Sequence, residues 1–140
     1  MGLRAGEAFD LTNGWAVNKE SDRQRADIYV DEEQALLIIG SPPCTPFCRL
    51  QSFSPDSDKK RAKLAEGVGH MIFVIKLYRK QVKAGRVFLH EQPAHATSWE
   101  LPEMKKMMGE EGVDLVYADQ CMFGLKTWGH NKSVLVLAKK

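Results

Sequence analysis

One stretch of sequence decides the fold: residues 35–44, which read ALLIIGSPPC. Ala35 to Gly40 form a continuous apolar run, which is typical of a strand buried on both faces of a parallel sheet. The Ser41-Pro42-Pro43 segment that follows ends the strand, because proline cannot donate to a strand ladder. The stretch therefore predicts a buried strand whose carboxyl end leads directly to Cys44.

Helical and extended patterns alternate on both sides of this strand. Ser57 or Asp58 is suited to cap a long helix that the chain leaves at Gly85. An apolar stripe at three- and four-residue steps marks its inner face: Leu64, Val68, Met71, Ile75, Tyr78 and Val82. Upstream, the pattern predicts a short strand over 6–11, a turn at Thr12-Asn13-Gly14 and an exposed helix over 18–26.

The downstream segments complete a β-α-β-α-β series. They are a strand at 86–90, a helix at 98–108 with Leu101, Met104 and Met108 inward, and strands at 113–118 and 133–138. Such a series predicts an α/β fold, with a mostly parallel sheet flanked by helices. The last strand is expected to run antiparallel, because only a short loop precedes it.

Composition sets limits on the class of protein. The 140 residues fit one domain over 1–140, and the 44% hydrophobic and 27% charged residues exclude wholesale disorder. No segment has the roughly 20 apolar residues of a membrane span, and the N-terminus lacks the apolar core of a secretory signal. The net charge of +2 gives no strong electrostatic footprint, so nucleic-acid binding requires a local site. Three cysteines without a signal indicate a reduced, intracellular compartment.

Reactive side chains follow the predicted strands, where open α/β sheets bind their ligands. The first strand leads to Cys44 and the second to His90-Glu91-Gln92-Pro93, while the third leads to 119–124, with Cys121. A thiol and a carboxylate at neighbouring strand ends make a plausible pair of nucleophile and acid.

These segments carry a resemblance to a known family. Gly40-Ser41-Pro42-Pro43-Cys44, followed by Phe47, resembles the Pro-Cys loop of DNA cytosine-5 methyltransferases. The resemblance implies a partial Rossmann-like fold that uses S-adenosylmethionine, with Cys44 attacking C6 of a flipped-out cytosine and Glu91 contacting N3. It also implies three cofactor contacts: Asp27 (within Ala26-Asp27-Ile28) at the adenine, Asp10 at the ribose, and Pro42. It covers the chain roughly from Glu7 to Ala138, including Phe123-Gly124 and the last strand.

Several family features are missing. The glycine-rich Phe-x-Gly-x-Gly loop, its strand and a target-recognition domain are not present, and Gln92, Pro93 and Cys48 replace the family's asparagine, valine and serine. Ser-Pro-Pro-Cys-Thr and His-Glu-x-Pro also resemble segments embedded in retroelement polyproteins, which implies a nuclear location. Two interpretations follow: a truncated or degenerate transferase acting on DNA, or an inactive retroelement-derived binding or remnant domain. In both, a partner chain or an upstream segment is expected to complete the sheet.

Other chemistries stay open at these residues. A tetrahedral zinc site would use Cys44, Cys48, His90 and Cys121, although their spacing matches no common finger and we predict no metal. A cysteine hydrolase would pair Cys44 with His90 or His95. The simplest alternatives are structural: Cys44 as a buried apolar residue, Glu91 as a helix cap, and Asp10 and Asp27 in turns or caps. Lys59-Lys60-Arg61-Lys63 is either a solvated helix start or a phosphate contact.

Overall fold

A computed structural model describes residues 4–119 and, for the backbone alone, 133–139. The chain divides into two compact units, Met1–Leu36 and Leu37–Lys140. The expectation of one methyltransferase-like domain over 1–140 stays a prediction. Cys121 and Phe123-Gly124 lie outside the described residues.

The first unit contains helix α1, Glu20–Glu33, which is longer than the sequence predicts. The predicted strand at 6–11 is wrong, since these residues form a loop that leads into a short 3-10 turn, Leu11–Asn13. Local hydrogen bonds replace a strand ladder there: the Asp10 amide donates to the Ala8 carbonyl, and the Trp15 amide donates to the Asp10 carbonyl, both at 3.0 Å. The predicted turn is confirmed, with Gly14 in the left-handed region at φ 80°.

Aromatic packing holds the first unit together. The Trp15 ring is buried and lies 4.6 Å from the ring of Phe9 and 6.5 Å from that of Tyr29. The guanidinium of Arg25 lies 3.8 Å from the centre of the Trp15 ring, which is a cation–π contact. This small core fixes α1 against the loop that precedes it.

The second unit is a mixed α/β structure built on a four-stranded sheet of order β1-β2-β4-β3. The strands are β1, Leu37–Gly40; β2, Val87–Pro93; β3, Val113–Asp119; and β4, Ser133–Lys139. β1 and β2 pair in parallel, whereas β4 pairs antiparallel with both β2 and β3. The expectation that the last strand runs antiparallel is confirmed. The expectation of a mostly parallel sheet is wrong for the pairings, since only β1–β2 is parallel and β4 lies between β2 and β3.

Two helices follow β1 and β2. Helix α2, Asp58–Lys83, begins where predicted, because Ser57 Oγ accepts a hydrogen bond from the Lys60 amide at 3.2 Å. Helix α3 is only Pro102–Met108, and a separate 3-10 turn, Thr97–Glu100, occupies the start of the predicted helix. Pro102 explains the break, since proline disfavours helical backbone in the residue before it.

Helix α2 and the 97–108 segment share one core with the sheet. Its largest buried members are Phe47, Met71, Ile75, Tyr78, Phe88, Trp99, Met104 and Met107. The predicted stripe is right at its centre, where Met71, Ile75 and Tyr78 are buried, but Leu64 is 43% exposed. The inward set of α3 is Met104 and Met107, with Met108 only partly buried.

The opposite face of β1 is uncovered among the described residues. Leu37 and Ile39 are 40% and 64% exposed, whereas Ile38, on the other face, packs against the core. The prediction of a strand buried on both faces is therefore wrong for the described part of the chain. A uniformly apolar strand does not report which of its two faces is covered, because both present the same chemistry.

Candidate functional site at the carboxyl ends of β1 and β2

The loop that contains Cys44 leaves β1 beside the middle of β2. Gly40, the last residue of β1, pairs with His90, and Ser41-Pro42-Pro43 follows without regular structure. Cys44 is half-buried with a free thiol, and a short 3-10 turn, Thr45–Phe47, comes directly after it. The chain thus brings Cys44 to the edge of the sheet where β1 ends, as the sequence predicts.

Gly40 is required by a close approach of α2. A Cβ atom at this position would lie 1.9 Å from the Tyr78 hydroxyl and 3.0 Å from Val74 Cγ1. The hydroxyl cannot easily move away, since Tyr78 is fully buried and its ring stacks on Phe88 with the centres 4.5 Å apart. The missing side chain of Gly40 therefore sets how closely α2 lies against the end of β1.

A buried tyrosine–histidine pair lies beneath the loop. The Tyr78 hydroxyl and His90 Nδ1 are 2.9 Å apart, and the Trp99 ring meets the His90 ring edge-on at 5.5 Å. Within the described residues, His90 Nε2 has no hydrogen-bond partner. Burial lowers the pKa of His90 to about 4 and raises the pKa of Tyr78 above its ordinary value. At neutral pH both side chains are uncharged.

This histidine makes stability depend on pH. In the unfolded chain His90 takes up a proton near pH 6.5, whereas in the folded chain it does so only near pH 4. The free energy of unfolding should therefore fall as pH is lowered from about 6.5 to 4, by roughly 2–3 kcal/mol from this group. Urea denaturation of the wild-type chain and His90→Gln between pH 7 and 5 checks this. If the free energy of unfolding changed with pH by the same amount in both chains, His90 would not be the cause of the dependence.

Gln92 ties the Cys44 loop to β2. Its side chain is 1% exposed, and its Nε2 donates to the carbonyl of Pro42. Its Oε1 accepts a hydrogen bond from Ser98 Oγ at 3.4 Å, so both ends of the amide are used. Because Pro42 lies two residues before Cys44, this bond fixes the backbone on the near side of the thiol.

Phe47 fixes the loop on the far side of Cys44. Its ring is buried in the core, and its carbonyl accepts a hydrogen bond from Thr97 Oγ1 at 3.2 Å. Gly67 of α2 leaves room for this turn, since a Cβ there would lie 3.0 Å from Pro46 Cγ and 3.2 Å from Phe47 Cε2. Cys44 is therefore held between two anchored points.

Removing the Gln92 anchor should loosen the loop around Cys44. In Gln92→Leu the Pro42 carbonyl loses its donor, and we expect iodoacetamide to modify Cys44 several-fold faster relative to the exposed Cys48. The lost hydrogen bonds should lower the free energy of unfolding by about 1–2 kcal/mol.

Gln81→Leu is the matched control for this variant. Gln81 is also buried, and its Nε2 donates to the Val87 carbonyl at the opposite end of β2. That substitution should cost similar stability and leave the ratio of the Cys44 and Cys48 rates unchanged. Equal ratios in both variants would show that Gln92 does not hold the loop.

Glu91 occupies the face of β2 that does not pack on α2. Burial alternates along Val87–Pro93, with Phe88, His90 and Gln92 buried, so half-buried Glu91 points to the other side. Glu91 lies within β2 rather than after it, because the strand continues to Pro93 by pairing with β4. Its register places it one residue beyond the level of Gly40. Cys44 and Glu91 thus lie near the same end of the sheet, but Glu91 is on the face of β2 opposite Gln92, which holds the Cys44 loop.

The predicted cofactor residues are distributed over both units. Asp10 is exposed, and its Oδ1 accepts hydrogen bonds from the Thr12 hydroxyl at 2.6 Å and the Thr12 amide at 2.8 Å, which lower the pKa of Asp10. Asp10 therefore fills the capping role that its sequence context allows. Asp27 lies half-buried inside α1, and only Pro42 belongs to the second unit.

The alternative chemistries find little support in the described residues. No group of three or more potential metal ligands gathers there, and Cys121 lies outside them. For a cysteine hydrolase, His90 is already bonded to Tyr78, and within the same part of the chain no hydrogen bond joins Cys44 to His95. Gln92, Ser98 and Tyr78 are not among the predicted site residues, and Tyr78 was expected only in the apolar stripe of α2. The one available signal is that Gln92 replaces an asparagine expected from the resemblance.

A cleft opens on the other side of the Cys44 loop. Its volume is about 980 Å³, and Pro43 and Thr45, the neighbours of Cys44, lie in its wall. Most of the other lining residues come from the 49–55 segment and the start of α2, and Pro46, Cys48 and Thr97 also line the cleft. The sequence gives no direct signal for this cleft, because it depends on how the loop folds back onto α2.

No family model, curated protein or solved structure matches this chain. Separately, none of the helices in the described residues has the length and apolar character needed to cross a membrane.

Proposed function

We propose that this chain is a DNA cytosine-5 methyltransferase-like domain in which Cys44 is the nucleophile. The observation that carries the proposal is the anchored loop: Cys44 lies between the Pro42–Gln92 and Phe47–Thr97 bonds. A nucleophile gains rate when its position is fixed before the substrate arrives. A cysteine that only filled space would need no such support from two hydrogen bonds across 50 residues of chain.

Methylation at C5 of cytosine requires a thiol and a carboxylic acid, the two groups that Cys44 and Glu91 provide. Cytosine C5 becomes nucleophilic once a thiolate adds at C6, and this step forms the bond between Cys44 Sγ and C6. The negative charge that develops at N3 is relieved by a proton from a carboxylic acid, the role that we give Glu91 because of the resemblance. C5 then accepts an electrophile and loses its hydrogen as a proton, and the thiolate leaves to restore the ring.

S-adenosylmethionine would supply the methyl group as that electrophile. The three predicted contacts do not gather in the cleft beside Cys44: Oδ1 of Asp10 is engaged by Thr12, and that cleft includes none of Asp10, Asp27 and Pro42. We therefore assign no step to the cofactor's contacts with this chain. This mismatch favours a second candidate, a remnant domain that retains the nucleophile loop without cofactor affinity.

Calorimetric titration with S-adenosylmethionine distinguishes the two candidates. Micromolar binding, weakened by Asp27→Ala without a change in the unfolding midpoint, is expected for a transferase. No binding would reject the complete transferase and leave the remnant domain.

A further inference from the structure

We propose that the cleft beside the Cys44 loop is a groove for single-stranded DNA. This inference rests on the proposed function in one respect, since it names the form of DNA that brings cytosine to Cys44. Its evidence is separate and consists of the charges, the exposed aromatic ring and the shape of the cleft.

Positive charge is concentrated in this cleft. Among the described residues, Arg49, Lys59, Lys60 and Lys63 line it, and Glu66 is the one carboxylate there. The chain as a whole carries only +2, so the cleft departs from the average surface. Within the described part of the chain, neither Lys59 nor Lys63 forms an ion pair, whereas Arg61, outside the cleft, is paired with Asp56 and Asp58. The two lysines are thus available to an anion.

The lysines are arranged along one side of the cleft. Lys59 and Lys63 are four residues apart on α2 and therefore lie one turn from each other on the same face. Like charges at this spacing, near the positive end of the helix dipole, are unfavourable without a bound anion. Successive phosphates of a nucleic-acid strand would relieve that repulsion.

An exposed aromatic ring completes the groove. Phe53 is 84% exposed and lines the same cleft. Lys60 stabilises the turn that contains Phe53, since its Nζ donates to the carbonyls of Gln51 at 2.6 Å and Ser54 at 2.9 Å. Fixed aromatic rings beside cations are the arrangement that proteins use to stack the bases of single strands without reading their sequence.

The chemistry of the Cys44 site favours a single strand over a duplex. A base inside a duplex must leave its stack before a thiol can reach C6, which costs free energy, whereas a single strand presents its bases already unpaired. The described residues beside Cys44 form a concave cleft rather than a helix or ribbon that would enter a major groove.

Fluorescence anisotropy with labelled dT20 tests the inference without involving the proposed reaction, because dT20 contains no cytosine. We expect the chain to bind dT20 at least about tenfold more tightly than the dT20·dA20 duplex at 0.1 M salt. Lys59→Ala/Lys63→Ala should weaken binding about tenfold and reduce the slope of log K against log salt by about 1.4. Phe53→Ala should weaken binding by about fivefold or more and leave the slope unchanged.

Lys83→Ala/Lys106→Ala is the control, since it removes two charges that are also exposed but lie outside the cleft. It should leave binding close to wild type. Any of three results would overturn the proposal that the cleft binds single-stranded DNA. These are equal losses of affinity in the two double variants, equal binding of duplex and single strand, and no binding of dT20. A failure of methyl transfer or of cofactor binding would not affect these results.

Discussion

Replacing Gly40 with alanine should lower the free energy of unfolding by about 4 kcal/mol, or prevent the second unit from folding. The new Cβ would lie 1.9 Å from the Tyr78 hydroxyl, a separation at which one of the two groups must move. Moving Tyr78 breaks its bond to His90 and disturbs its stacking on Phe88, so strain and a lost buried hydrogen bond add together. Urea denaturation followed by tryptophan fluorescence measures the loss.

Two comparisons identify the cause of that loss. Gly109→Ala makes the same chemical change at a position where a Cβ would meet only ordinary contacts at 3.7 Å, and should change stability by less than about 0.5 kcal/mol. Gly40→Ala/Tyr78→Phe removes the clashing oxygen and should recover part of the loss. If the effects of the two substitutions simply add, the clash with Tyr78 is not the cause.

Replacing Cys44 with serine should abolish the chemistry proposed for this chain. Addition of a thiolate at C6 lets C5 exchange its hydrogen with solvent, even without a methyl donor, because the adduct can take up a solvent proton and then lose the original one. A serine hydroxyl is a far weaker nucleophile at neutral pH. Exchange of cytosine 5-deuterium in a single-stranded oligonucleotide should therefore fall by about 1,000-fold or more in Cys44→Ser.

Cys48→Ser provides the matched control for this experiment. Cys48 is a free, exposed thiol four residues away, so general thiol chemistry would use it more readily than half-buried Cys44. The exchange rate in Cys48→Ser should stay close to wild type, and both variants should keep the wild-type unfolding midpoint. A loss of exchange in Cys48→Ser, or its persistence in Cys44→Ser, would remove the assignment.

Local signals in the sequence predict several elements of the fold correctly. Ser57 caps α2 as expected, and Ser41-Pro42-Pro43 ends β1. These features depend on residues close together in the chain, where capping and proline geometry act directly. The direction of β4 could also be inferred, because a connection of this length is near the minimum for a parallel crossover and favours an antiparallel return.

Features that depend on distant contacts could not be predicted in the same way. The segment at 6–11 has the composition of a strand but pairs with no other strand among the described residues, and its local hydrogen bonds run through Asp10. The exposure of Ile39 depends on which layers cover the sheet, not on its own chemistry. An apolar pattern therefore indicates what a segment is able to bury, and the remainder of the chain decides whether it does.

In the candidate site, too, local features could be predicted and features that depend on distant contacts could not. Cys44 was identified from its loop, whereas the residues that hold that loop come from elsewhere in the chain. The bond from Gln92 to Pro42 spans 50 residues, as does the bond from Thr97 to Phe47. Sequence spacing predicted that Cys44 and Glu91 would share an edge, and the structure adds that Glu91 projects from the opposite face of β2 to Gln92.

The most direct test of the central claim is covalent trapping on DNA. A single-stranded oligonucleotide with one 5-fluorocytosine is incubated with the chain and S-adenosylmethionine, and the adduct is digested and mapped by mass spectrometry. Once C5 has accepted the methyl group, fluorine cannot leave as a proton does, so elimination is blocked and the bond between sulfur and C6 persists. The account predicts one adduct, on the peptide that contains Cys44, and none with Cys44→Ser. An adduct on Cys48, or equal trapping by the Cys44→Ser chain, would contradict it.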